Sequence, residues 1–259
     1  MQPLAGQVVN AGTIALTSTG DQTVLEILAN GITLTGGGQV TLSDSSQNVI
    51  AGAAPGVVLT NVDNTIAGAG QIGAGSLTLV NAGTINAAGV NALVIDTGSN
   101  AVVNTGRIEA TGPGGLTVNS ALQNSGSLVA NGGDLHLMGA VTGSGLATIF
   151  GSSTIEFGAA SSEAVTFAGF SSGTLKLDDP AHFTGRISGF SAFTPLEHID
   201  LAGIAPSATV TIATNSSDFS SILTFNDGLH TASIAFTGLV FISGFHLTSD
   251  QMGGSLFGF

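Results

Sequence analysis

The chain has 259 residues, of which 39 are glycine, 43% are hydrophobic and only 7% are charged, with no Cys, Trp or Tyr. Sixteen acidic residues and three basic ones, Arg107, Lys176 and Arg186, give a formal charge of −13. Three cations cannot neutralise a run of phosphates, which excludes nucleic acid and anionic membrane surfaces as partners. The lack of Cys excludes disulfides and thiolate metal sites, and no apolar stretch is long enough to predict membrane insertion.

Apolar residues alternate with small polar residues along most of the chain, as in residues 32–35, 40–43 and 77–79. This period of two is typical of strands with one buried face. Gly, Asn, Asp and Ser separate the runs and supply turns. The sequence therefore predicts an all-β protein with almost no helix.

A phrase of the form Val-Asn-x-Gly-x-Ile recurs in the first half, starting at residues 9, 80 and 103. Together with looser copies, it places asparagines at positions 61, 81, 104 and 124, which are 20, 23 and 20 residues apart. This spacing fits one coil of a β-solenoid. We predict that Asn-x-Gly turns a corner and that equivalent asparagines stack about 4.8 Å apart, each side-chain amide bonding the next.

Two other interpretations of these glycine-rich segments fit less well. Leucine-rich repeats have a similar period but need regularly placed leucines, which are absent here. Residues 68–73 match a GxGxxG phosphate-binding pattern, but no helix pattern follows them. The predicted fold is therefore a right-handed parallel β-helix.

The composition changes near residue 148. All 14 Phe lie at or after Phe150, whereas 13 of the 15 Asn precede it. We predict Asn/Gly-rich solenoid repeats over residues 1–148 and a Phe-rich region over residues 149–259 that either continues the solenoid or caps it. A cap is expected because a solenoid end exposes unpaired strand edges, and Phe supplies large buried area.

Within the second part, the pair Asp227-Gly228 predicts a hairpin turn. Loops are predicted at residues 179–183 and 195–200, and one short helical turn at residues 216–221.

The repeat phrase resembles the passenger regions of bacterial autotransporters and haemagglutinin-type adhesins. The second half is similar to a segment common in long, repeat-rich secreted proteins of soil-dwelling alphaproteobacteria. The residues that carry this likeness are 173–177, 183–190, 198–201, 227–234 and 245–256. The resemblance implies a β-helical surface or secreted module, without a particular ligand.

Acidic residues cluster in one segment, which contains Asp178, Asp179, Glu197 and Asp200. Residues one coil apart are neighbours in a β-helix, so Asp178 and Asp200 are expected to converge. Such a cluster suits calcium or an acid–base pair, although the glycine-rich calcium nonapeptide is absent. Turn capping by these acids is the simpler interpretation, and we assign no cofactor or metal.

Basic and imidazole side chains accompany this segment. Lys176 and Arg186 lie near the paired aspartates, and His182 and His198 flank them. Polysaccharide lyases on β-helices use basic residues with calcium-bound acids, so this is the constellation to test, with ordinary ion pairing as the alternative. No HExxH or GxSxG pattern occurs, and a Ser-His-Asp triad formed in space stays open. We therefore assign no catalytic residue.

These observations predict a non-catalytic structural or adhesive module of an extracellular or cell-surface bacterial protein. Its expected partners are cell-surface or matrix glycans, or neighbouring copies end to end. The alternatives are a polysaccharide lyase or hydrolase and a self-assembling fibre subunit. No signal peptide is recognisable at the N-terminus, so a fragment of a longer product, another export route and retention in the cell all stay open.

Overall fold

The computed structural model describes residues 6–169, 171–190, 196–240 and 244–258. These residues form short strands and one 3-10 turn, Pro180–His182, and they contain no α-helix. The strands of the first seven coils are β1 (Gly6–Val9), β2 (Thr13–Leu16), β3 (Thr23–Ile27), β4 (Ile32–Thr35), β5 (Gln39–Leu42), β6 (Asn48–Gly52), β7 (Val57–Asn61), β8 (Thr65–Gly68), β9 (Gly70–Gly73), β10 (Leu77–Asn81), β11 (Thr84–Ala87), β12 (Leu93–Ile95), β13 (Val102–Asn104), β14 (Arg107–Ala110), β15 (Leu116–Val118), β16 (Leu122–Asn124), β17 (Ser127–Asn131), β18 (Leu135–Leu137), β19 (Val141–Gly143), β20 (Leu146–Phe150) and β21 (Thr154–Phe157). The remaining strands are β22 (Ala164–Phe167), β23 (Thr174–Leu177), β24 (Arg186–Ser188), β25 (His198–Leu201), β26 (Thr209–Asn215), β27 (Ser220–Asn226), β28 (Thr231–Thr237), β29 (His246–Ser249) and β30 (Ser255–Gly258).

Three sheets run along the molecule. Sheet A contains β1, β4, β7, β10, β13, β16 and β19. Sheet B contains, in spatial order, β2, β5, β8, β11, β14, β17, β20, β22, β24, β28, β27 and β26. Sheet C contains, in spatial order, β3, β6, β9, β12, β15, β18, β21, β23, β25, β30 and β29.

Each of the first seven coils contributes one strand to each sheet, and each of these strands pairs in parallel with its equivalent in the next coil; beyond β19, sheet A continues only as isolated bridges. The repeated phrase is in register from coil to coil, since Asn81 pairs with Asn61 on one side and with Asn104 on the other. The stack has about nine turns. The predicted parallel β-solenoid is therefore confirmed.

Branched apolar side chains fill the interior of the coils. Ile66, Ile85, Ile108 and Leu128 occupy equivalent positions of β8, β11, β14 and β17, and each is 0% exposed. They come from the predicted inward position of the repeat phrase. Stacking like side chains over one another buries a continuous apolar column, which no single coil could bury alone.

The composition change does not interrupt the sheets. The predicted boundary between residues 148 and 149 falls inside β20, and β20 pairs in parallel with β17 before it and β22 after it. Parallel pairing continues to β24 and β25. Beyond β28 in sheet B and β25 in sheet C the pairing becomes antiparallel.

The antiparallel strands lengthen two of the sheets. In sheet B, β28 pairs in parallel with β24, and β27 and β26 follow in antiparallel order. In sheet C, β30 and β29 follow β25, again antiparallel. As a result, the outermost strands β26 and β29 run in the same direction as the solenoid strands β24 and β25.

Phenylalanine rings fill the interior next to these antiparallel strands. Phe190 is central, with ring centroids 5.4 Å from Phe167 and Phe245, 5.8 Å from Phe236 and 5.9 Å from Phe257. Its ring lies nearly parallel to that of Phe245, at 19°. Large rings thus replace the aliphatic columns of the earlier coils where the parallel stack ends.

Several local predictions are resolved by the strands. The hairpin turn at Asp227-Gly228 is confirmed between β27 and β28. The predicted loop at 179–183 contains the 3-10 turn, and residues 68–73 span the end of β8, a bend at residue 69 and β9. The short helical turn predicted at 216–221 is a turn without helix over residues 216–219, and the prediction is wrong for residues 220–221, which begin β27. The loop at 195–200 is wrong for residues 198–200, which start β25, while Pro195 lies outside the described residues.

Candidate functional site

A row of charged side chains crosses the outer face of sheet C at four consecutive strands. His136 of β18 pairs with Glu156 of β21, Glu156 with Lys176 of β23, and Lys176 with Asp200 of β25. We call these four residues the charged row. The alternation of the strands places them outward, because the residues on either side, such as Leu175 and Leu177, are buried in the core.

Glu156 is the centre of the charged row. Its side chain is only 10% exposed, and its Oε2 lies 2.5 Å from His136 Nδ1 while its Oε1 bonds Lys176 Nζ. Burial alone would raise the pKa of Glu156, but the hydrogen bonds and positive charges of Lys176 and His136 outweigh burial and lower it. Glu156 therefore stays ionised as the shared partner of two bases.

Lys176 is held by two carboxylates, because its Nζ also lies 3.2 Å from Asp178 Oδ1. These contacts, led by the bond to Glu156, raise the pKa of Lys176. An ammonium stabilised in this way is a poor general base at neutral pH. The geometry thus favours ion pairing over acid–base chemistry for Lys176.

Asp200 has the least complete hydrogen bonding of the four residues in the charged row. Its Oδ1 is buried and has no hydrogen-bond partner among the described residues. Burial and the nearby charge of Asp250 raise its pKa, and Asp178 adds to this effect. The sequence expectation that Asp178 and Asp200 converge is met to this extent, with Lys176 in register beside Asp200.

The paired aspartates border a pocket just past the C-terminal ends of β23 and β25. Asp178, Asp179 and His230 line it together with Ala181 and Ile204, and its volume is about 270 Å³. Asp179 is turned toward His182, whose Nδ1 lies 2.8 Å from Asp179 Oδ1. Within the described part of the chain, no group of three or more His, Asp or Glu side chains is arranged to hold a metal ion.

The other predicted candidates are not brought together. Arg186 lies on sheet B, where its Nη1 donates to the carbonyl of Phe236 at 3.4 Å. Glu197 is buried at 2% exposure, and His198 is on the outer face of sheet C beside Thr174. The constellation of Lys176 and Arg186 with Asp178 and Asp179 is therefore split between two sheets.

A ladder of buried asparagines runs along one corner of the solenoid. Asn61 donates from Nδ2 to Oδ1 of Asn81 at 2.8 Å, Asn81 to Asn104 at 2.8 Å, and Asn104 to Asn124 at 2.7 Å. All four side chains are at most 1% exposed. We call them the asparagine ladder, and the stacking predicted from their spacing is confirmed.

The ladder ends on a residue that sequence reasoning missed. Asn124 Nδ2 donates to Oε1 of Glu163 at 2.7 Å, and Glu163 is 0% exposed. Its sequence neighbourhood, Ser-Ser-Glu-Ala, carries no signal of the repeat phrase. His136 and Glu156 were also missed as partners, although their 20-residue spacing equals the repeat period and could have revealed them.

The outer face of sheet B is rich in hydroxyl groups near its end. A groove of about 520 Å³ is lined by Ser207, Thr209, Thr211, Thr224 and Asn226, with Asp227 at one end. Thr211 pairs with Thr224, whose hydroxyl is 3.0 Å from that of Ser233 on β28. We call this surface the hydroxyl groove.

Comparison with known proteins assigns no relative. The sequence matches no protein-family model, and no curated protein shows significant similarity to it. Over the residues that the structure describes, no helix is both long and apolar enough to span a membrane.

Proposed function

We propose that the chain is a non-catalytic structural or adhesive module of a bacterial protein located at the cell surface or outside the cell, and that its partners are glycans. The observation that carries this proposal is the hydroxyl groove. Neutral hydroxyl and amide groups on a flat, rigid sheet match the donors and acceptors of sugar hydroxyls. The solenoid supplies the rigidity, because each coil is bonded to both neighbours along its length.

The distribution of charged groups favours neutral glycans over acidic ones as ligands. The bases of the charged row are bonded to carboxylates, so few cationic groups remain to attract an acidic polymer. The groove has one acid, Asp227, at its end. Neutral polysaccharides are therefore the expected class of ligand.

The test is incubation with a panel of neutral and acidic polysaccharides, with and without calcium, scoring both retention of the protein and new chain ends. Retention without new ends is the expected result. Thr211→Val together with Thr224→Val should weaken retention, because the hydroxyls are replaced by methyl groups of the same shape. Thr13→Val, an exposed threonine of β2, is the matched control. Equal retention of both variants would remove the groove from the proposal.

A second candidate, a polysaccharide lyase or hydrolase, is favoured by one observation. Lys176 and Asp178 are bonded to each other, and Asp178 borders the pocket that also contains Asp179. If this site cleaves glycans, new chain ends should appear in the panel and should disappear with Asp178→Ala or Asp200→Ala in a folded chain. Turnover that survives both substitutions would exclude this segment.

End-to-end contact between copies is the third candidate, and the direction of the last strands favours it. Because β26 and β29 run in the same direction as β2 and β3, the two ends present edges of matching direction. Filaments in electron micrographs at high protein concentration would support this arrangement. Uniform single particles would count against it.

A further inference from the structure

The column of the asparagine ladder is interrupted at one coil and then closed by a carboxyl group. Asn124 pairs with Gly143 in the next coil. One coil further, Ser161 pairs with Val141, which places Glu163 beside Gly143. Because Gly143 has no side chain, Glu163 reaches back across that coil and accepts the hydrogen bond of Asn124.

Backbone crowding keeps this gap free of other side chains. A Cβ on Gly143 would lie 1.9 Å from the carbonyl oxygen of Asn124, and its φ of +125° is a conformation that L-residues rarely adopt. A Cβ on Gly145 would lie 2.1 Å from Asn124 Nδ2. Glycine at both places is therefore required for Glu163 to meet Asn124.

The chemistry of Glu163 differs from that of the ladder it ends. Each asparagine accepts from one neighbour and donates to the next, whereas a carboxylate only accepts. Oε1 of Glu163 is satisfied by Asn124, but Oε2 is buried without a hydrogen-bond partner in the described part of the chain. A buried unpaired carboxylate oxygen is costly, and a neutral carboxyl group is much less so.

The groups packed around Glu163 carry no charge. The amide of Asn124 bonds its side chain, the hydroxyl of Ser161 accepts from its backbone N–H at 3.2 Å, and Gly143 and Gly185 lie beside it in the neighbouring coils. Burial raises the pKa of Glu163 to about 7, and the bond from Asn124 offsets only part of that effect. No charged side chain contributes to this shift among the described residues.

We propose that Glu163 is a buried proton-binding site that makes the stability of the solenoid depend on pH between weakly acidic and neutral conditions. The protonated carboxyl closes the asparagine ladder without a buried charge. Loss of the proton places an unpaired charge in the interior, between the ladder and the Phe-rich coils. The fold is then weakened where its two kinds of core meet.

The direction of the effect follows from the two protonation equilibria. The pKa of Glu163 is about 7 in the folded chain and about 4.5 in the unfolded chain. The folded chain therefore binds the proton more tightly, and the resulting stability is fully present below pH 4.5 and is lost as the pH rises through 7. A difference of about 2.5 units corresponds to an equilibrium constant for folding that falls about 300-fold from this one group.

The experiment compares the full chain with Glu163→Gln in urea unfolding between pH 4 and pH 8, followed by far-ultraviolet circular dichroism. Glutamine keeps the acceptor for Asn124 and is neutral at every pH. The variant and the wild type should be equally stable near pH 4, and the variant should gain up to about 300-fold in the folding equilibrium constant by pH 8. The exposed Glu26→Gln is the matched control, because it removes the same charge at the surface.

A stability difference between Glu163→Gln and wild type that does not change with pH would overturn the proposal. If the variant does not fold, the wild-type chain gives the answer by carbon-13 NMR titration of its side-chain carboxyl groups. One carboxyl that titrates near pH 7 is the expected result. Titration of every glutamate below pH 5 would refute the assignment.

Discussion

The asparagine ladder has a direction, and replacing Asn104 by Asp tests it. Asn104 is 0% exposed, accepts from Asn81 at 2.8 Å and donates to Oδ1 of Asn124 at 2.7 Å. Aspartate has the same shape and keeps the acceptor for Asn81. Toward Asn124, however, it sets a carboxylate oxygen against another acceptor, so a bond becomes a repulsion.

The expected loss of stability has two parts. The buried Oδ1 of Asn124 loses its donor Asn104 and keeps only the longer bond from the Gly126 N–H at 3.2 Å, which costs about 1–3 kcal/mol. The burial of the new charge is comparable with that of Glu163, whose pKa of about 7 corresponds to about 3 kcal/mol. Asn104→Asp should therefore lose about 5 kcal/mol at pH 8. The loss should nearly vanish near pH 4, because a protonated carboxyl is neutral and donates to Asn124.

Urea unfolding at the two pH values measures this, with circular dichroism as the signal because the chain has no Trp or Tyr. Asn131→Asp is the matched control, since Asn131 ends β17 on the surface and is exposed. It should change stability by less than about 0.5 kcal/mol. An Asn104→Asp chain as stable as wild type at pH 8, or one whose loss is the same at both pH values, would refute the directional ladder.

Three further substitutions test other parts of the structure by the same unfolding assay. Gly143→Ala should lower the free energy of unfolding by about 3 kcal/mol, because its methyl group meets the Asn124 carbonyl. Gly12→Ala, which has no atom within 4 Å of the added methyl group, should leave the stability nearly unchanged. Equal losses of stability in the two variants would contradict the crowding argument. Phe190→Ala should cost about 3 kcal/mol by emptying the ring cluster, and a loss below about 1 kcal/mol would show that the cluster contributes little. Glu156→Gln should cost about 2 kcal/mol at pH 7 by removing the shared partner of His136 and Lys176, and an unchanged midpoint would mean that the charged row adds no stability.

The parallel solenoid could be predicted because its evidence is local and repeated. The alternation in β10 and β11 indicates strands, and the recurrence of Asn81 at Asn104 indicates the coil length. Together these fix the stacking, since equal residues at equal spacing fall into register. The hydrogen bonds between the asparagines then follow from the distance between coils.

The charged row could be predicted only in part. Lys176 and Asp178 are close in sequence and therefore drew attention, and their contact is real at 3.2 Å. Glu156, which holds the row together, lies in the preceding coil and belongs to no motif. The register of β21 with β23 brings it to Lys176, and the 20-residue spacing of the two residues, equal to the repeat period, is the sequence signal that could have revealed this contact.

The end of the ladder explains the composition change near residue 148. A column of asparagines that donate in one direction must finish on a group that accepts, or its last amide group remains unsatisfied. Gly143 interrupts the column and Glu163 supplies the acceptor. Beyond Glu163 the column contains Gly185, whose neighbour Phe183 is paired with Ser161. Asparagine is no longer needed at this corner from that point, and aromatic rings take over the interior. The change in composition thus marks a change in how the corner is stabilised, within sheets that continue across it.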